Sequence, residues 1–267
     1  MNIVCFGAHP DDGEVYAGGT LVKWSQEGHK VLLVSMTNGD IGHHELSGGE
    51  LARRRAEEAR RSAEIGGFSD RILDNHDGEL LPTMALRKEV VRIIREWQAD
   101  IVLTHRPYDY HPDHRYAAMA VQDAAYMVMV PNFCPDIPAL SHNPIFLYMM
   151  DGFTRPYPFQ SDIAVDVGAV MDTKWAMLDA MDSQFYEWLP WILKQEKPVP
   201  EDPEARKAWL KETWDVYFRS HAAKAQPALA AHYGKEKAPH IDYVERFELC
   251  EYGSCPPIDE VRALFPT

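Results

Sequence analysis

Ile3-Val4-Cys5-Phe6-Gly7-Ala8-His9-Pro10-Asp11-Asp12 opens as an apolar run and breaks abruptly into an imidazole and two carboxylates. A buried strand offers such groups no partners, so this stretch reads as a strand whose end projects His9, Asp11 and Asp12 from a sheet edge to do chemistry. The pattern recurs: the apolar run Ile101-Val102-Leu103 is followed by His111-Pro112-Asp113-His114. Working outward, further strand candidates are 31–36, 71–73 and 145–149, and helical periodicity covers about 14–28, 48–66, 84–97 and 113–129. In 84–97, Leu86, Val90, Ile93 and Trp97 make one apolar stripe to lay on a sheet. Strand and helix alternate, which predicts an α/β fold with a mostly parallel, doubly wound sheet. Such sheets bind ligands beyond the carboxyl ends of their strands, where both His/Asp clusters stand.

The tail has a different texture. A helix pattern through Met171, Trp175 and Leu178 ends near Ser183-Gln184-Phe185, and Glu196–Pro203 is a proline-rich polar connector. A helix is expected from about 203 to 219, and Trp188, Trp191, Trp209 and Trp214 fall around the connector. The expected organisation is a core over 1–185, a helical insertion over 186–240 and a C-terminal segment over 241–267. The insertion can serve as a lid, a sugar-stacking wall or a contact building a homo-oligomer, and packing aromatics are the commoner role for such tryptophans.

Composition excludes several partners. The chain has 267 residues, with 27 Lys and Arg against 41 Asp and Glu, a formal charge of −14. That balance opposes a nucleic-acid backbone and an anionic membrane surface alike. No signal peptide or spanning apolar segment is legible, so a cytoplasmic protein is expected. The cysteines Cys5, Cys134, Cys250 and Cys255 lack paired spacing and read as free thiols.

Zinc is commonly held by His nitrogen and Asp oxygen, and a catalytic site uses three protein ligands and leaves a fourth position for water. His9 and Asp12 can supply two ligands and His114 the third, leaving Asp11 as a carboxylate beside the metal that can accept a proton. Iron(II) suits such a donor set as well. Within the second cluster, one histidine can coordinate while the other, oriented by the Asp113 carboxylate, stays protonated and faces a developing oxyanion. Glu14 reads as a helix cap and His105 as a neighbour of the site; His43 and His44 can line the pocket or, more commonly, sit at the surface, and His76 and His221 read as surface groups.

Ala8-His9-Pro10-Asp11-Asp12 with Glu14, together with His111-Pro112-Asp113-His114, closely resembles the LmbE-like or PIG-L family of metal-dependent N-acetylglucosamine deacetylases. The likeness runs over about 2–185 and includes Thr37-Asn38-Gly39-Asp40, Arg55-x-x-Glu58, Asp77, Asp151-Gly152-Phe153 and Ser183-Gln184-Phe185. The resemblance implies a Rossmann-like fold, a zinc on His9, Asp12 and His114, Asp11 as general base, and His111 with Asp113 as electrophilic or acid helper. It also implies Arg55 and Asp77 as grips on sugar hydroxyls; Tyr110, where some relatives carry Arg or a small residue, departs from the family pattern and is a further expected substrate contact beside His111. Leu46-Ser47-Gly48-Gly49-Glu50-Leu51 looks most like the small-sugar, chitobiose-type branch. The expected reaction removes the acetyl group from an N-acetylated amino sugar or its conjugate. A metal-dependent amidase acting on a non-sugar acyl amide and a non-catalytic sugar-binding protein are the alternatives.

Overall fold

The computed structural model describes residues 1–267. Its first half repeats one unit, a short apolar strand followed by a helix with one apolar face. In chain order these are β1 (Asn2–Gly7), α1 (Asp12–Gln26), β2 (Lys30–Ser35), α2 (Gly48–Gly66), β3 (Ser69–Ile72), α3 (Met84–Trp97), β4 (Ile101–Thr104), α4 (Pro112–Met127) and β5 (Ile145–Met149). β1, β2 and β4 are buried along nearly their whole length, which is why they read as continuous apolar runs rather than alternating ones. Then follow β6 (Ile163–Asp166), α5 (Met171–Asp179), a π-helical turn (Ser183–Trp188), α6 (Leu189–Ile192), α7 (Pro203–Arg219), α8 (Gln226–Tyr233), β7 (Val244–Gly253) and α9 (Ile258–Arg262).

The seven strands lie in the order β3-β2-β1-β4-β5-β7-β6. β1 to β5 run parallel, and β7 is antiparallel to both its neighbours. The chain winds outward from β1 through β2 and β3, then returns to the other side of β1 with β4. The strand order therefore reverses between β1 and β4, and a crevice opens at their carboxyl ends. One face of the sheet packs on α1, α5 and α7 through Leu21, Trp24, Trp175, Trp209 and Phe218; the other packs on α3 and α4 through Val90, Ile94, Val121 and Ala124.

The boundaries expected at 185 and 240 do not separate cores. Trp209, Leu210 and Phe218 of the expected insertion and Phe247 and Phe265 of the expected C-terminal segment share one apolar cluster with Ile3, Leu103 and Leu147. β7, which carries no sequence flag of its own, sits between β5 and β6. Its alternation of inward charged and apolar residues, Val244-Glu245-Arg246-Phe247-Glu248, conceals a buried strand. All four cysteines are free, and no helix is long and apolar enough to cross a membrane.

Candidate metal centre and active site

The loop after β1 is tied back on itself. Asp12 Oδ2 accepts from the backbone N–H of Ala8 at 2.9 Å and of His9 at 2.8 Å, fixing the turn that starts α1. Gly7 is needed here because a Cβ on it would stand 2.9 Å from that of Asp12. After β4, His111 caps α4 and Pro112 occupies its first turn, placing His114 one turn in. The two loops bring three side chains with donor atoms together across the crevice. His9 Nδ1 lies 3.5 Å from Asp12 Oδ2 and 3.3 Å from His114 Nε2, and His114 Nε2 lies 3.4 Å from Asp12 Oδ1. Donor atoms on one small divalent cation stand about 3.3–3.4 Å apart, so these side chains are spaced as a possible metal site.

The surrounding groups aim the donors. His9 Nε2 lies 3.1 Å from Asp77 Oδ1 and 3.3 Å from Asp113 Oδ2, two acceptors for an Nε2 proton, and Nδ1 faces the corner. His114 Nδ1 stands 3.2 Å from Asp109 Oδ1, a charge contact that turns Nε2 toward the corner. Such carboxylate-histidine pairs orient metal ligands and raise their basicity. His105 Nε2 meets Asp12 Oδ2 at 3.1 Å, and its ring stacks on His114 with centroids 4.1 Å apart.

Charge in this corner is unbalanced. Burial works to lower the His9 pKa, but Asp113, Asp12 and Asp77 together hold it well above the ordinary histidine value. Burial opposes ionisation of Asp12 too, and His114 and His105 hold its carboxyl well below the usual range. His105 is pushed down by burial and by His114. Five carboxylates, those of Asp11, Asp12, Asp77, Asp109 and Asp113, crowd these rings with Arg55 as the single permanent cation. A divalent cation held here would answer that excess.

Asp11 stands apart from the donors, open to the crevice, with Oδ1 3.3 Å from Arg55 Nη2. Burial raises its pKa, and Arg55 opposes the rise. His111 packs edge-on to His9 with centroids 4.6 Å apart, and its Nδ1 accepts the Asp113 backbone N–H at 3.2 Å. The neutral ring is therefore the form with Nε2–H free to donate, and burial lowers the His111 pKa in keeping.

Several expected roles are relocated. The Asp113 carboxylate does not orient His111; it contacts His9 and accepts from the N–H groups of Gly78 and Leu80, and His111 is held instead by the Asp113 backbone N–H. Arg55 is buried, donates to the carbonyls of Gly39 and Pro10 and faces Asp11 and Asp77, leaving it no surface to grip a sugar. Gly39 makes room for it, since a Cβ there would come within 2.5 Å of the guanidinium. Asp77 is likewise spent on His9. Tyr110 is at the rim, 70% exposed, beside His111 and Phe153.

Glu14 is buried inside α1 rather than capping it, with a pKa raised by burial to about 7. His43 is no surface group: its Nδ1 accepts from Glu45 and Leu46 N–H, and Nε2 meets Glu187 at 2.8 Å. The same glutamate binds Arg54 through both oxygens, fastening the π-helical turn over α2. His44 and Trp191 stack with centroids 5.0 Å apart, and Trp188 stacks on Trp191 at 5.4 Å, while Trp191 stays exposed. His76 stays at the surface beside Asp40, whereas His221 is buried. Asp109 went unread in the sequence; the spacing Asp109-x-His111-x-x-His114 was its only signal.

A family model described as GlcNAc-PI de-N-acetylase, PIG-L, matches residues 4–125, which span β1 to α4 and hold every donor above. The chain is 34% identical over 239 residues to the diacetylchitobiose deacetylase of Thermococcus kodakarensis, covering 87% of this chain and 78% of that one. The N,N'-diacetylchitobiose deacetylase of Pyrococcus horikoshii, solved with an inhibitor, superposes with a TM-score of 0.69 at 26% identity, covering 93% of this chain and 83% of that one. The 4-carboxy-2-hydroxymuconate hydratase of Pseudomonas putida shares the fold, with a TM-score of 0.73 at 20% identity over 96% of this chain and 98% of that one. With that extent of identity and the paired His/Asp motifs at one crevice, the chain belongs to the PIG-L, or LmbE-like, family.

Proposed function

We propose that the protein is a metal-dependent hydrolase that cleaves the acetyl amide of an N-acetylated amino sugar of the N-acetylglucosamine type, or of a conjugate of one, releasing acetate and a primary amine. The observation that carries this reading is the corner formed by His9 Nδ1, Asp12 and His114 Nε2, with Asp11 beside it and spared from ligation. Kinship with deacetylases of N-acetylated disaccharides supports the substrate class. Zinc suits the donor set and iron(II) is the alternative; when bound, such an ion supplies Lewis acidity at the acyl group.

The protein's own groups carry the proton traffic. Asp11 accepts a proton from the water that adds to the acetyl carbon, and Arg55 holds its carboxylate in place. The neutral His111 donates from Nε2 to the oxygen that gains charge in the tetrahedral adduct. As the adduct collapses and the C–N bond breaks, the proton held by Asp11 passes to the leaving nitrogen. Asp77, Asp109 and Asp113 keep the two histidines in register. The free thiols suit a reducing compartment, and we place the reaction in the cytoplasm.

The test is release of acetate and amine from a panel of N-acetylglucosamine derivatives and non-sugar acetamides, with metal content measured by elemental analysis. Equimolar acetate and amine from the sugars, abolished by chelation and restored by zinc or iron(II), is expected. Preferential cleavage of the non-sugar amides would instead identify an amidase, and no amine from any compound would remove the hydrolase reading.

A further inference from the structure

The parallel strands β4 and β5 are neighbours, so the loops that leave their carboxyl ends, 105–111 and 150–162, emerge side by side at the crevice. Two aromatic pairs join these loops. Tyr110 meets Phe153 with ring centroids 6.1 Å apart, and Tyr108 meets Tyr157 edge-on at 5.6 Å. Tyr110 also reaches inward, its ring lying edge-on to His111 at 5.7 Å and to His114 at 5.8 Å. Of the exposed aromatic side chains, Tyr108, Tyr110, Tyr126, Trp191 and Tyr252, Tyr110 alone has ring contacts with these two histidines.

Exposed loop residues are ordinarily mobile, yet the backbone under this pair is fixed. Arg115 Nη1 donates to the carbonyls of Asp109 at 2.7 Å and Tyr110 at 2.9 Å, and Asp109 Oδ1 accepts the His111 N–H at 2.9 Å, so the chain is tied on both sides of the Tyr110 ring. Phe153 donates its N–H to Asp151 Oδ1 at 2.9 Å, and its carbonyl accepts from Arg106 Nη2 at 3.0 Å. Arg106 is buried, grips Asp151 through two bonds of 2.7 Å and donates to the Tyr157 carbonyl at 3.1 Å. A buried guanidinium is thus committed to holding the loop that carries Phe153. Tyr110 nonetheless leaves 70% of its surface open, so its ring adds little to the core and stands instead as a preformed wall next to the donor corner.

The chemistry of that wall selects its occupant. A pyranose ring carries hydroxyls around its rim and C–H bonds on its faces, so it can lay a face on aromatic rings while the hydroxyls stay in water. An acyclic acetamide has no such face. We propose that Tyr110 and Phe153 form a stacking platform for the pyranose ring that bears the acetamido group, and that this pair makes the enzyme select cyclic amino sugars over acyclic acetamides. The inference rests on the deacetylase reading and deepens it by naming the residues that read the sugar. Arg106 is the positioning residue of the platform.

The experiment measures kcat and KM for an N-acetylglucosamine disaccharide and for N-acetylethanolamine in the wild type, Tyr110→Ala, Tyr110→Phe and Phe153→Ala, with bound metal measured in each. In each alanine variant the sugar-to-acyclic ratio of kcat/KM should fall about 3- to 10-fold, chiefly through a raised KM for the sugar, as expected for one lost stacking ring. Tyr110→Phe should keep the wild-type ratio, because the ring and not the hydroxyl makes the contact. Calorimetric titration of the disaccharide into metal-loaded Asp11→Asn, alone and combined with Tyr110→Ala, reads the same contact without turnover, and binding should weaken by about the same factor. A ratio and an affinity unchanged by the alanine substitutions, or a loss in Tyr110→Phe as large as in Tyr110→Ala, overturns the platform and leaves the deacetylase reading intact. Loss of bound metal from the alanine variants would assign the rings to the donor corner and overturn it as well. Disaccharide binding that depends on Tyr110, with no amine released by the wild type, would leave the platform standing and remove the deacetylase reading instead.

Discussion

Asp11 and Asp12 are adjacent in sequence and opposite in circumstance. Asp12 is enclosed by two backbone N–H groups and by His9, His105 and His114, whereas Asp11 keeps one oxygen near Arg55 and otherwise faces the crevice. Asp11→Asn should therefore lower turnover by about 10²-fold or more, the range of a lost general base, while metal content stays at the wild-type ratio. Parallel assays of activity and bound metal check both halves. Asp109→Asn should behave in the opposite sense, weakening metal binding about 10- to 100-fold in a chelator competition because His114 loses the group that orients it. That His9, Asp12 and His114 would gather at one crevice was legible in the sequence, because His and Asp at a strand end have few other uses. The aiming carboxylates were not. Which acid faces which ring is decided by loop geometry that local spacing does not encode, and so Asp113 was assigned to His111 and Arg55 and Asp77 to the substrate.

Helix α1 follows the loop that carries His9 and Asp12, and its own seat is ionic. Glu245 of β7 accepts from the N–H of Gly19 at 2.8 Å and of Thr20 at 2.7 Å, and from Lys174 Nζ at 2.7 Å; Lys174 also donates to the Val15 carbonyl. This pair ties α1, α5 and β7 inside the apolar core. Lys174→Met leaves a buried carboxylate uncompensated and should cost about 3–5 kcal/mol in urea unfolding, with part of the loss recovered by adding Glu245→Gln. Just past α7, His221 is held neutral, its pKa lowered by burial and by Arg246 and Lys174 to about 3. The unfolded chain, with an ordinary value near 6.5, then binds the proton first. The stability this group confers is complete above about pH 6.5 and is lost as pH falls toward 3, on the order of 5 kcal/mol at the limit. The urea midpoint of His221→Phe should be flatter over that range than the wild type's. Neither feature was readable beforehand: an isolated His or Lys in a helical stretch looks like solvent-facing polarity until the sheet behind it is known.

At the scale of the molecule, periodicity gave the strand and helix series from β1 to β5 nearly residue for residue, because a doubly wound sheet writes itself as apolar runs between amphipathic helices. It could not locate β7, since Glu245, Arg246 and Glu248 disguise a strand whose charges are buried by partners far along the chain. The consequence is that residues 186–267 complete the sheet rather than decorate it. β6 pairs only with β7, and β5 has β7 as its second neighbour. Removing everything after 185 strips Trp209, Leu210, Phe218, Phe247 and Phe265 from the main core. At about 2 kcal/mol for each large apolar side chain, that is about 10 kcal/mol, comparable with the whole net stability of a typical domain. The full chain should therefore melt in one cooperative transition, with equal calorimetric and van't Hoff enthalpies, and a 1–185 fragment should show none. A cooperative transition in that fragment would mean that the first six strands form a self-sufficient core and that the tail is an appendage after all.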